Sequence, residues 1–257
     1  MSAGARVSLE TRGGMRFVSR GRGRPLVFLH GWCLTHHIWM YAEEHFSTEF
    51  RFVAPDLPGF GMSSGLAGPY SLDRYADEVA ALLDEFELED AVVVGFAFGA
   101  AVAMTLAARG HRHLRRIVAV APPGAEFSPY ARMPKAMRRD WPEFARRSAH
   151  ALFHTPQSDA TIGWLERIFI AAPLPVAIET VEILSRFDPR SIAPTIAIPQ
   201  LFVHASEDGV APVIIGKESV EASRSAELRI IENCGHLIVL DAKDAFHATL
   251  GDFLKTH

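Results

Sequence analysis

The chain has 257 residues, 49% of them apolar, with a formal net charge of −4. That length suits one large domain with an insertion, and the mild acidity gives no reason to expect nucleic-acid binding. Two cysteines cannot build a disulfide framework or a four-thiolate zinc site, and the chain shows neither a signal-peptide core nor a bilayer-spanning apolar run, so a cytoplasmic protein without membrane association is expected.

In chain order, Val7–Leu9 and Met15–Val18 flank Gly13-Gly14 and predict an opening β-hairpin. The six arginines from Arg6 to Arg24 are interleaved with glycines and apolar residues, as on solvated edge strands rather than a basic arm. Pro25–Leu29 and Arg51–Ala54 are buried-strand runs, and 37–46 between them carries apolar residues at helical spacing. Ser71 precedes an amphipathic helix with Leu72, Tyr75, Val79, Leu82, Leu83 and Phe86 on one face. Ala91–Val94 is a strand, a small-residue helix runs from Ala100 through Ala108, and Ile117–Val120 is a further strand. From 122 to about 190 no strand is convincing, and aromatics mix with arginines in helical patterns. Strands resume at Gln200–His204 and Glu227–Ile231, and a helix from about 243 to 254 closes the chain. Alternating strands and helices imply an α/β fold, a mostly parallel sheet with helices on both faces. Its core is expected at 1–121 and 191–257, with 122–190 inserted as a helical cap.

Gly95-Phe96-Ala97-Phe98-Gly99 joins a strand to a helix and has the pattern of a nucleophile elbow, G-x-S-x-G, with alanine at its centre. Acyl-transfer chemistry needs a nucleophile, a base, an acid that orients the base, and donors for the oxyanion, in the chain order nucleophile, acid, histidine. Asp208 follows one strand and His236 the next, at the carboxyl ends where such sheets gather their chemistry. Glu207 rivals Asp208, but the following Gly209-Val210-Ala211-Pro212 favours Asp208. Oxyanion donors are expected from the amide of Phe98 and, in the His30-Gly31-Trp32 turn, from Trp32.

Together with Asp56-Leu57-Pro58-Gly59-Phe60-Gly61-Met62-Ser63, these motifs resemble the α/β-hydrolase superfamily over nearly the whole chain. Within it, Leu29-His30-Gly31-Trp32 with Trp39, Leu174-Pro175, Val181–Leu184 and Asp188-Pro189-Arg190 resemble the pimeloyl-carrier-protein methyl ester carboxylesterases of biotin synthesis. The resemblance implies a serine carboxylesterase with no metal or organic cofactor, acting on a small-molecule or carrier-bound acyl ester, with an acidic acyl carrier protein as partner. His30, Gly31, Trp32, Phe96, Phe127, Phe144 and Trp164 are then candidate substrate contacts.

Plainer readings compete at several positions. Asp56 precedes the nucleophile position and reads as a structural turn acid, and Ser63 and Ser64 as loop hydrogen-bonders. His36-His37 and His111-x-His113 lack partner ligands for a metal. Cys33 and Cys234 read as buried thiols. Arg138, Arg139, Arg146 and Arg147 form either a solvated helix face or a docking surface for an anionic carrier.

Ala97 has two explanations. A natural serine has been replaced, or the chain is a natural non-hydrolytic homologue that binds a ligand or partner, or a cofactor-free lyase or oxygenase using His236 as base. Retention of Asp208 and His236 favours the first over a drifting non-catalytic homologue, which would have no catalytic reason to keep them, while the lyase or oxygenase reading stays open.

Overall fold

A computed structural model describes residues 5–126 and 130–256. Phe127 lies outside the described residues, so its expected substrate contact has no structural account. Among the described residues, eight strands form one sheet: β1 (Val7–Glu10), β2 (Arg16–Arg20), β3 (Pro25–Leu29), β4 (Arg51–Pro55), β5 (Ala91–Phe96), β6 (Leu114–Val120), β7 (Gln200–Ala205) and β8 (Ala226–Ile231). Their spatial order is β1-β2-β4-β3-β5-β6-β7-β8. The predicted hairpin pairs Val7 with Ser19, and β2 also runs antiparallel to β4; every later pairing is parallel.

The helices follow from local signals. After a 3-10 turn at His36–Trp39 comes α1 (Met40–Phe46), so the helical pattern beginning at 37 is divided. Helix α2 (Leu72–Glu85) starts where Ser71 Oγ accepts the Arg74 amide at 3.1 Å, and it buries Tyr75, Val79, Leu82 and Leu83 as the periodicity predicts. Helix α3 (Phe98–Arg109) is apolar all round and buried over nearly its whole length. Its small residues let it lie against the sheet: a Cβ on Gly99 would stand 2.4 Å from the Leu29 carbonyl oxygen. On the other face Phe28 stacks on Phe52 at 4.9 Å and meets Trp39 at 5.0 Å. Trp39 is fully buried, and truncating such a residue to alanine costs about 3–5 kcal/mol.

Between β6 and β7 the described residues hold α4 (Met133–Arg139), α5 (Trp141–Ala151), α6 (Asp159–Ala171), α7 (Leu174–Leu184) and α8 (Pro189–Ile192), and no strand. Their starts carry their own signals: Asp140 and Ser158 cap α5 and α6 by accepting the Glu143 and Thr161 amides. The sheet is completed by α9 (Val213–Ala222), a short α10 (Ile238–Asp241) and α11 (Lys243–Thr256). No helix among the described residues is long and apolar enough to cross a membrane.

Candidate active site

The strand-to-helix turn between β5 and α3 forces Ala97 to φ 47° and ψ −106°. A positive φ is strained for any residue with a Cβ, and the turn is held by the Ala97 amide donating to the Val120 carbonyl at 2.8 Å. The alanine side chain is thereby pushed to the carboxyl edge of the sheet, at the head of α3, where the first amides of a helix lack partners within it.

Two further strand ends converge there. Asp208 follows β7, and its Oδ1 accepts the Val210 and Ala211 amides at 2.7 and 2.9 Å. Its Oδ2 lies 2.8 Å from Nδ1 of His236, which follows β8. Burial opposes ionisation of Asp208, but the facing imidazole and the two backbone amides outweigh it and hold the carboxyl below the usual carboxylate range. Glu207 is exposed and points elsewhere, so the geometry separates the two adjacent acids. With Nδ1 engaged by a carboxylate, His236 turns its Nε2 edge outward, and its ring packs on Phe96 at 5.0 Å.

Ala97 and His236 line one cavity of about 260 Å³, walled mainly by apolar side chains. Trp32, Leu34 and Phe96 form its floor with Ala97, while the inserted helices supply Met133, Phe144, Leu152, Phe169 and Leu184. Tyr130, Ser148 and Val210 complete much of the rest. The Trp32 indole donates to the Ala177 carbonyl at 3.0 Å and contacts the Thr180 hydroxyl at 3.1 Å, so α7 fixes this loop beside Ala97. Trp141, Phe144 and Phe169 surround the same indole edge-on at 6.0–6.3 Å.

Other expected contacts fall elsewhere. His30 is fully buried and does not line the cavity: Nδ1 donates to the Gly31 carbonyl at 2.8 Å and Nε2 accepts the Leu57 amide at 2.9 Å. Burial lowers its basicity, and the neutral ring pins the 30–32 turn to the turn after β4. Gly31 is also buried outside the cavity, packed so that a Cβ would stand 2.8 Å from the Phe96 ring. Trp164 lines a different cleft, with Cys33, Phe60 and Arg167. Arg138, Arg139, Arg146 and Arg147 are exposed, and Glu143 already grips Arg146 through two hydrogen bonds of 2.8 and 2.9 Å.

Sequence reasoning missed Leu34, Met133, Ser148, Leu152, Leu184 and Val210 as cavity residues. Leu34 and Val210 sit two residues beyond Trp32 and Asp208, a signal available in the chain; the others depend on how the inserted helices pack. Asp56 serves its turn, accepting the His36 and Met62 amides at 2.6 and 2.7 Å and the His36 ring at 2.9 Å. Ser63 Oγ accepts the Arg16 amide. Both cysteines are buried, with Cys33 pushed well above the usual thiol range and Cys234 to about 12 by desolvation, so neither supplies a thiolate.

Comparison with known proteins gives the same frame. The chain is 27% identical over 247 residues to the AB hydrolase superfamily protein YisY of Bacillus subtilis, covering 91% of this chain and 92% of that one. It is 27% identical over 248 residues to the pimeloyl-[acyl-carrier protein] methyl ester esterase of Sodalis glossinidius, covering 90% and 93%. An esterase structure from Exiguobacterium antarcticum superposes with a TM-score of 0.89 at 20% identity, over 97% of this chain and 99% of that one, which shows a shared fold. Residues 26–249 match the alpha/beta hydrolase family, and the chain belongs to it.

Proposed function

We propose that this site is that of a carboxylic ester hydrolase of the serine–histidine–aspartate type, with the nucleophilic oxygen missing at position 97. The observation that carries the reading is the 2.8 Å Asp208–His236 pair lining one cavity with an alanine held at φ 47°. An orienting acid, a base and a strained elbow are a costly arrangement to keep for packing alone.

With serine at 97, its Oγ would attack the ester carbonyl while His236 Nε2 takes the proton. Asp208 keeps the proton on Nδ1 and stabilises the imidazolium that forms. The backbone amides of Trp32 and Phe98 donate to the oxyanion. His236 then protonates the leaving alcohol, and water activated by the same imidazole resolves the acyl-enzyme. Trp32, Phe96 and Phe144 contact the acyl chain. A cavity of about 150 Å³ holds one benzene, so about 260 Å³ encloses the ester carbonyl, a small alcohol and a few acyl carbons, with the far end of a carrier-bound acyl chain directed outward.

The inserted helices act as the cap over this cavity. The curated relative acts on a pimeloyl-carrier methyl ester, and the exposed Arg138, Arg139 and Arg147 suit an acidic acyl carrier outside the cap. The deciding experiment is Ala97→Ser assayed on p-nitrophenyl esters of increasing chain length. We expect turnover that is abolished by adding His236→Ala. No turnover with any ester would overturn the esterase reading in favour of a binding role or base chemistry at His236.

A further inference from the structure

His236 is held by more than Asp208. The residue after it bonds directly to the segment that follows α5, and the residue before it is tied to that segment through Asp241. The Leu237 amide donates to the Leu152 carbonyl at 2.9 Å. The Gly235 amide donates to Asp241 Oδ2 at 2.8 Å, and that oxygen also accepts the His154 amide at 3.0 Å. The second oxygen, Oδ1, accepts the Thr155 hydroxyl and the Gln157 side-chain amide, the latter at 3.2 Å. Gln157 also bonds the Thr155 hydroxyl at 2.9 Å, closing the network. Packing is correspondingly tight, since a Cβ on Gly235 would lie 2.5 Å from the His154 nitrogen.

One carboxylate thus gathers four donors, three from the 154–157 turn of the inserted helices and one from the residue before His236. Asp241 does not line the cavity and touches no reacting position. Its own place is fixed by α10, where its amide donates to the Leu237 carbonyl at 2.9 Å. A carboxylate accepting several charge-assisted bonds is a far stiffer tie than apolar packing between the same segments.

We propose that Asp241 is a positioning residue that locks the His236 loop to the 152–157 turn, so that the imidazole and this edge of the cap move as one unit. The proposal rests on the reading of His236 as the catalytic base. Since Leu152 also lines the cavity, the same tie sets the cavity wall relative to the imidazole. Cap motion that admits substrate then occurs away from this edge.

The test uses two variants. Asp241→Asn presents an NH₂ to converging donors and breaks the network. Thr155→Val with Gln157→Ala removes two cap-side donors but keeps the Asp241 charge. In the chain with alanine at 97, Asp241→Asn should speed hydrogen exchange of the Gly235 and His154 amides about tenfold and broaden the low-field proton resonance of the His236–Asp208 bond. The double variant should move both in the same direction by a smaller factor. In the Ala97→Ser background, Asp241→Asn should lower kcat about tenfold for a small ester with KM nearly unchanged. Exchange that quickens only within 152–157, with the Gly235 amide, the proton resonance and kcat unmoved, would overturn the proposal and leave Asp241 as a cap anchor. If Asp241→Asn does not fold, the double variant decides by the same readouts. If Ala97→Ser hydrolyses no ester, exchange and resonance in the alanine chain still decide this proposal separately from the esterase reading.

Discussion

Gly95 and Gly99 meet across the elbow so closely that a Cβ on Gly95 would lie 2.2 Å from the Gly99 carbonyl oxygen. Both positions therefore exclude every side chain, and Ala97 between them bears the strained φ of 47°. Gly99→Ala should cost about 3 kcal/mol or more, because the added carbon meets rigid β3 backbone rather than a movable side chain. Ala97→Gly should instead stabilise the chain by about 0.5–1 kcal/mol by relieving the positive φ. Urea denaturation of both variants checks the pair; a neutral Gly99→Ala would show that the elbow can relax.

Acid sensitivity should rest on two buried histidines whose pKa desolvation lowers to about 4, His247 and, more deeply buried, His204. The His204 ring is buried beneath α9, its Nδ1 meets the Ala211 carbonyl at 3.2 Å, and its Nε2 has no partner. Desolvation lowers its pKa to about 4 from an ordinary 6.5. The folded state thus binds the proton less readily than the unfolded state, and the stability present above 6.5 is lost as pH falls from there toward 4. Asp208 and Asp56, both held below the usual carboxylate range, add a further loss at more acid pH. His204→Leu should remove roughly 2 kcal/mol of the stability difference between about pH 7 and pH 4.5. Denaturation at the two pH values measures it, and an unchanged difference would place the acid sensitivity elsewhere.

Charge on the cap should separate carrier-bound from free substrates. In Ala97→Ser, reversing Arg138, Arg139 and Arg147 to glutamate should raise KM for a carrier-bound ester about tenfold and leave p-nitrophenyl acetate nearly unaffected. Arg146→Glu should do less, since Glu143 already occupies that guanidinium. Equal loss on both substrates would argue against docking.

Arg190 should govern the cap's two connections. Its guanidinium reaches Asp188 at 2.8 Å, Glu126 at 2.6 Å and Glu218 of α9 at 2.9 Å, beside the Ala125 amide bonded to the Phe187 carbonyl at 2.9 Å. Arg190→Ala should speed hydrogen exchange around 125–126 and 187–192 and cost about 1 kcal/mol, a partly screened surface network. Exchange rates identical to the parent would mean that the Ala125–Phe187 backbone bond and apolar packing hold these junctions without Arg190.

What the sequence determined by itself was local or periodic. Strand runs, the Ser71 cap, the α2 stripe and the two elbow glycines each follow from a spacing or a backbone conformation that neighbouring residues impose. The strand-end Asp208 and His236 were legible for the same reason, since a parallel sheet brings its carboxyl ends together whatever lies between them. The tertiary structure alone decided which side of the 30–32 turn faces the cavity, burying His30 as a neutral backbone clamp and leaving Trp32 beside Ala97. It alone sent Phe144 to the cavity and Trp164 to another cleft, because inserted helices carry apolar residues on more than one face and their packing has no register to predict. The Asp241 network is of the same kind: an acid with partners 84–87 residues away has no signature in its neighbours, and only the folded chain brings its donors together.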